Sequence, residues 1–202
     1  MRKLTYLLTI ILGLLSACNS KNTSTSRLLP EPDIIERLKY EKTEIDTLFK
    51  KGKGECLTFI KLTETGQPVL IKTDTLPEEA ITTYYILKDS LSKVITISEL
   101  PTSRSGDWFI VYTHYFDKTG KTFAFERQTN FFNSNCTDGV AYETKTEFYN
   151  SDFKIINKFY KLVDEKNKPL NKDSCSQFYD YKYNVSANVD NYLKFNKIKT
   201  SR

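Results

Sequence analysis

Between Asp107 and Val163 the chain alternates long apolar and aromatic runs with short turns. The runs are Asp107–Phe116, Lys121–Phe132, Val140–Tyr149 and Phe153–Val163. Aromatic and β-branched residues suit a pleated, half-buried surface, so each run reads as a strand. Asp117-Lys118-Thr119-Gly120 and Asn150-Ser151-Asp152 are turn sequences, and Asp164-Glu165-Lys166-Asn167-Lys168-Pro169 closes the series. Connections this short leave no room for a crossover helix, so the strands must be antiparallel neighbours. The third run splits into two faces. Val140, Tyr142, Thr144, Thr146 and Phe148 are apolar or aromatic; Ala141, Glu143, Lys145, Glu147 and Tyr149 are largely charged. That alternation predicts a sheet with one packed and one wet side.

The rest of the chain adds elements around this meander. Pro30-Glu31-Pro32 is a stiff break, and Asp33 with Glu36 forms a capping-box pattern. Ile34, Ile35, Leu38, Ile45, Leu48 and Phe49 follow at helical spacing up to Gly52. Cys56–Leu62 and Val69–Thr73 read as a pair of strands about the turn Thr63–Gln67. Pro77-Glu78-Glu79-Ala80 opens a second expected helix, through Ile81, Tyr84, Tyr85 and Leu87 to about Ser90. Val94–Ser98 is a short strand, and Ser186–Lys194 suggests a short helix. The expected fold class is therefore α+β: an antiparallel β-meander of four or more strands with one to three packed helices, forming a single α+β domain over 30–202.

The N-terminus constrains location rather than fold. Arg2 and Lys3 precede an uncharged, mostly apolar run from Leu4 to Leu15, followed by Ser16-Ala17-Cys18. A stable spanning helix needs roughly 20 apolar residues, so this run reads as an export signal. Leu15-Ser16-Ala17-Cys18 resembles the lipobox of bacterial lipoproteins. The resemblance implies cleavage before Cys18, lipidation of Cys18, a signal peptide over 1–17 and a flexible tether over 18–29. Membrane attachment would then be through the lipid anchor, since two or more acyl chains anchor stably where one does not. Asn19, rather than aspartate, follows the cysteine, and in the enterobacterial sorting pattern this favours the outer membrane. The composition resembles lipoproteins of Bacteroidetes, but Asn19-Ser20-Lys21-Asn22-Thr23 lacks the acidic run that marks surface export there. The expected location is thus the outer membrane, facing the periplasm.

Charge and cysteines narrow the partners. The chain has 30 Lys+Arg and 25 Asp+Glu; losing Arg2 and Lys3 changes 30 − 25 = +5 to 28 − 25 = +3. That mild, dispersed excess gives no footprint for nucleic acid. An exported chain can hold disulfides. Cys136 and Cys175 lie in polar loops, whereas Cys56 precedes an apolar-alternating run. A Cys136–Cys175 bridge with Cys56 as a buried free thiol is expected; three free thiols remain the alternative, because sequence does not place sulfurs together.

No catalytic, cofactor-binding or metal-ligating set emerges. Gly120-Lys121-Thr122 matches the end of a phosphate-binding loop, but Tyr115 stands where its first glycine belongs and a strand-like run follows. Asp117-Lys118-Thr119-Gly120 resembles the aspartyl-phosphate motif of P-type cation pumps, whose multi-helix membrane domain this chain lacks; a hairpin turn accounts for it. No nucleotide is expected. His114 is the only histidine, within a strand, so a histidine-dependent nucleophile or a zinc site would have to use it alone. Glu78-Glu79 suits a helix start better than acid–base work.

Of 27 Phe, Tyr and Trp residues, 15 lie between Trp108 and Tyr160. Sheet core accounts for many of them. Both faces of the first two strands carry aromatics, however, so an exposed aromatic face built on Trp108, Tyr112, Phe123 and Phe125 is the candidate partner surface. Asp46-Thr47-Leu48, Asp74-Thr75-Leu76 and Asp89-Ser90-Leu91 resemble the O-glycosylation site of exported Bacteroidetes proteins, which implies sugars on Thr47, Thr75 and Ser90. The expected function is a membrane-anchored cell-envelope lipoprotein acting as a non-catalytic accessory or binding module for a protein or glycan partner. A structural subunit of an envelope complex, or an enzyme of unrecognised type, is the alternative.

Overall fold

The computed structural model describes residues 31–73, 75–132, 134–175 and 182–200; the expected signal peptide, Cys18 and the tether lie outside them. Helix α1 spans Glu31–Lys50. It begins two residues before the expected cap at Asp33. Pro32 sits in its first turn, where a missing N–H breaks no helical hydrogen bond. Eight strands follow: β1 Glu55–Lys61, β2 Val69–Ile71, β3 Thr82–Lys88, β4 Val94–Pro101, β5 Trp108–Phe116, β6 Thr122–Phe131, β7 Ala141–Tyr149 and β8 Ile155–Val163. They form one antiparallel sheet in the order β2-β1-β3-β4-β5-β6-β7-β8. A 3₁₀ turn at Lys172–Ser174 and helix α2, Val189–Phe195, complete the described elements. Asn188 caps α2, its side chain accepting from the Asn191 N–H.

The expected helix from Pro77 to Ser90 is a strand instead. Thr82-Thr83-Tyr84-Tyr85-Ile86-Leu87 is an unbroken β-branched and aromatic run, and β3 pairs with both β1 and β4. Proline and two acids before it suggest a helix start, but a run buried on both faces favours a central strand. Glu78 and Glu79 are exposed in the loop before it.

Cross-strand register assigns the two faces. On one, Leu38 and Ile45 of α1 pack on Tyr115, Phe123, Ala124 and Phe148, with Ile34, Ile95 and Ile156 at the edge of the cluster. On the other, the C-terminal segment forms the cover. Tyr192 and Ile198 join Phe59, Tyr84, Ile86, Ile97 and Phe116, while Tyr183 and Val185 pack against Ile110, Tyr112, Phe125 and Tyr149. The half-wet sheet expected from β7 is therefore corrected: Glu143 is buried on the supposedly wet face, with Arg127 at 2.9 Å and Lys145 at 3.3 Å, whereas Tyr142 on the apolar face is 37% exposed. Periodicity identifies two faces but not which element covers each one.

The hairpin turns share one design. Asp89–Lys93, Asp117–Lys121, Asn150–Lys154 and Asp164–Lys168 each start with an Asx side chain that accepts the N–H groups two and four residues on. The fourth residue has positive φ: Ser92, Gly120, Phe153 and Asn167. This is a type I turn followed by a left-handed residue, the favoured three-residue hairpin loop. Three of these turns join β3–β4, β5–β6 and β7–β8 and so share one end of the sheet. Lysines link them: Lys93 Nζ donates to the Lys118 carbonyl at 3.3 Å, and Lys121 Nζ to the Ser151 carbonyl at 3.0 Å.

Candidate functional site

Helix α1 covers only part of its face of the sheet. It is held by a polar network as well as by apolar contacts. Lys42 Nζ lies 2.8 Å from Glu126 Oε2 and 2.9 Å from Asp46 Oδ2, and 4.7 Å above the Tyr115 ring. Tyr115 Oη donates to Asp46 Oδ1 at 2.8 Å. The hydroxyl of Thr146 and the amide of Gln128 donate to the two oxygens of Glu126. Burial disfavours the Lys42 charge, but the Glu126 and Asp46 carboxylates outweigh it and hold the ammonium above the ordinary lysine value. Burial, reinforced by the same two carboxylates, pushes the Tyr115 phenol well above its ordinary value. The single ammonium thus bridges two carboxylates, which the Tyr115, Thr146 and Gln128 donors also satisfy.

Beyond this network, between the C-terminal half of α1 and the sheet, lies a cleft of about 410 Å³. Ile45, Phe49, Leu100, Phe109 and Val111 form its apolar walls; Tyr85, Ser98, Thr113 and Gln128 supply polar groups, and Lys50 stands among the lining residues. Ser98 and Thr113 share a hydrogen bond at 3.1 Å. The sheet surface continues past the cleft. Phe109, Asn130 and Tyr142 are successive cross-strand partners on β5, β6 and β7, and Val111, Gln128, Thr144 and Lys161 form the next row across to β8. Among the described residues no element packs over these rows: Phe49 is 46%, Phe109 41% and Tyr142 37% exposed.

The predicted partner residues are placed elsewhere. Tyr112 and Phe125 are 4% and 7% exposed and face the C-terminal segment, where both stack on Tyr183, with ring centroids 4.0 and 5.4 Å away. Phe123 is 4% exposed beneath α1, and Trp108 packs beside the Tyr112 cluster. The expected aromatic surface is therefore corrected in its membership. Sheet aromatics do surface, but as Phe109 and Tyr142 on the face of α1, and as Phe159 and Tyr160 on the edge strand β8, because the covers on the two faces do not reach these positions. The parity of Tyr142 along β7 pointed to this face; that α1 stops short of it had no sequence signal.

Cys136 and Cys175 are joined by a disulfide, and their loop packs with Leu170 against Phe131, Ala141 and Leu162. Cys56 is exposed, contrary to the expected burial, because it starts β1 where the short β2 does not reach. Of the expected glycosylation sites, Thr47 lies in α1 and donates to the Thr43 carbonyl, while its neighbour Asp46 is occupied by Lys42 and Tyr115. Thr75 is exposed in a loop, and Ser90 is exposed in the β3–β4 turn rather than in the expected helix. Asp74 lies outside the described residues. Asp117–Gly120 is a hairpin turn and Thr122 starts β6, so no helix follows the lysine to cradle phosphate. His114 is fully buried beneath the C-terminal segment, its Nε2 accepting the Ser186 N–H at 3.1 Å, away from the cleft. Among the described residues no group of three His, Cys, Asp or Glu is placed to hold a metal ion.

The chain matches no protein-family model, no curated protein and no solved structure.

Proposed function

We propose that this protein is a membrane-anchored lipoprotein of the cell envelope, held in the outer membrane facing the periplasm through lipid on Cys18. Its folded part serves as a non-catalytic binding module for a protein or glycan partner. The N-terminal resemblance carries the anchor. The observation that carries the binding role is the uncovered sheet corner beside α1, where Phe49, Phe109 and Tyr142 are between a third and a half exposed. Large side chains left open together beside a cleft are where a partner gains most from burial. The charges beside them are engaged with one another and with neighbouring hydroxyl and amide donors, which suits a fixed recognition surface.

Two measurements test this reading. Metabolic labelling with a palmitate analogue should mark the wild-type chain and not Cys18→Ala; equal labelling, or none in either, removes the anchor. A photocrosslinking residue at position 142, introduced in the producing cell, should give a discrete adduct, while one at position 160 on the opposite face should not. Equal adducts at both sites, or no adduct at 142 together with no glycan bound, would remove the binding surface.

A further inference from the structure

We propose that the open sheet corner is a carbohydrate-binding platform for an extended, uncharged oligosaccharide. The inference rests on the reading of this corner as a binding surface and names the ligand class. Phe109 and Tyr142 stand on the same face, on strands β5 and β7, with Asn130 of β6 between them in register. Strands two apart are separated by about 10 Å, so two aromatic faces flank one side-chain amide at a spacing that successive rings of an oligosaccharide can span. A sugar ring has an apolar C–H face that packs on an aromatic ring and a rim of hydroxyls that both donate and accept. Aromatic stacking surfaces interleaved with amides match both requirements, because an amide side chain likewise donates and accepts.

The neighbouring row extends the pattern with Gln128 and Thr144 beside Val111. The cleft carries it further with the Tyr85 phenol and the Ser98–Thr113 hydroxyl pair at the foot of α1. Charge argues for an uncharged ligand. Lys42 lies between Asp46, which lines the cleft, and Glu126, while Lys50 and Lys161 stand at opposite margins of the surface, so no cluster of one sign is presented to a charged ligand.

The test uses the full chain in phospholipid nanodiscs, titrated calorimetrically at millimolar concentration with the linear tetrasaccharides of glucose, xylose, mannose and N-acetylglucosamine. At least one is expected to bind, with affinity reduced at least tenfold by Phe109→Ala and by Tyr142→Ala. Both positions are exposed, so both variants should keep the wild-type unfolding midpoint. Tyr160→Ala, on the other face, should bind like wild type. Binding by none of the four, binding that both variants leave unchanged, or binding of acidic oligosaccharides alone overturns the proposal. If no sugar binds while the crosslinker at position 142 captures a protein, the ligand class fails and the binding surface stands. If neither occurs, both fail.

Discussion

His114 sits among the rings of Phe116, Phe125, Tyr183 and Tyr192, and its one described hydrogen bond accepts a backbone N–H. An imidazole that accepts at Nε2 in an apolar nest must be neutral, and burial lowers its pKa to about 3. In the unfolded chain it titrates near the ordinary histidine value of ~6.5. As pH falls below that value, the unfolded state takes a proton that the folded state refuses until about 3. Stability is therefore present above ~6.5 and is lost on acidification, at up to ~1.4 kcal/mol per pH unit. Glu99 acts in the opposite sense. Burial raises its carboxyl, against the opposing hydrogen bonds from Tyr183 and Tyr192, so its contribution is greatest in acid and fades as pH rises. Urea unfolding across pH 3 to 7 should show the His114 slope in wild type and a flatter one in His114→Gln. Identical slopes would mean that His114 is not held neutral. The C-terminal rings around this histidine leave no trace in the sequence near it.

Four of the turns place an Asx residue first, a left-handed residue fourth and lysine fifth. The geometry is local, so it can be read from five residues. Asp117 Oδ1 accepts the Thr119 and Lys121 N–H groups and the Thr119 hydroxyl, and Gly120 takes φ +82°. Asp117→Ala removes the acceptor, and Gly120→Ala puts a Cβ into a left-handed backbone. Each should lower stability by about 1 kcal/mol, with little effect on the cleft. Urea denaturation that finds both within error of wild type would show that the turn follows strand pairing rather than helping to set it. The sequence marks turns at Asp117, Asn150 and Asp164, without their shared side-chain geometry, and gives none at Asp89. There the proline and acids ahead of β3 suggest a helix ending at about Ser90, which takes in Asp89, the first residue of the turn. The same Asx-to-lysine spacing was the signal that would have separated β3 from β4.

At the scale of the molecule, one sheet carries two unlike covers, α1 on one face and a largely irregular C-terminal segment on the other. The Cys136–Cys175 bridge ties the chain after β8 to the middle of the β6–β7 connection. Closing a loop with a sequence separation of 39 can contribute up to ~4 kcal/mol, often less in practice. Cys136→Ser with Cys175→Ser should lower the urea midpoint, whereas Cys56→Ser, at an exposed thiol, should not. Non-reducing peptide mapping should recover the Cys136 and Cys175 peptides joined; finding all three thiols alkylatable would end this account. The sequence by itself determined the antiparallel meander, its turns and the helices at the two ends. Those follow from interactions within a few residues: alternation, Asx turns, capping and branched side chains. Only the tertiary structure decided that β3 is a strand, that Tyr112, Phe123 and Phe125 are buried while Phe109 and Tyr142 are open, and that Cys56 is exposed. Those outcomes depend on which cover reaches which patch of a shared sheet, and contacts between residues as distant as Lys42 and Glu126, or His114 and Ser186, leave no periodicity in the chain.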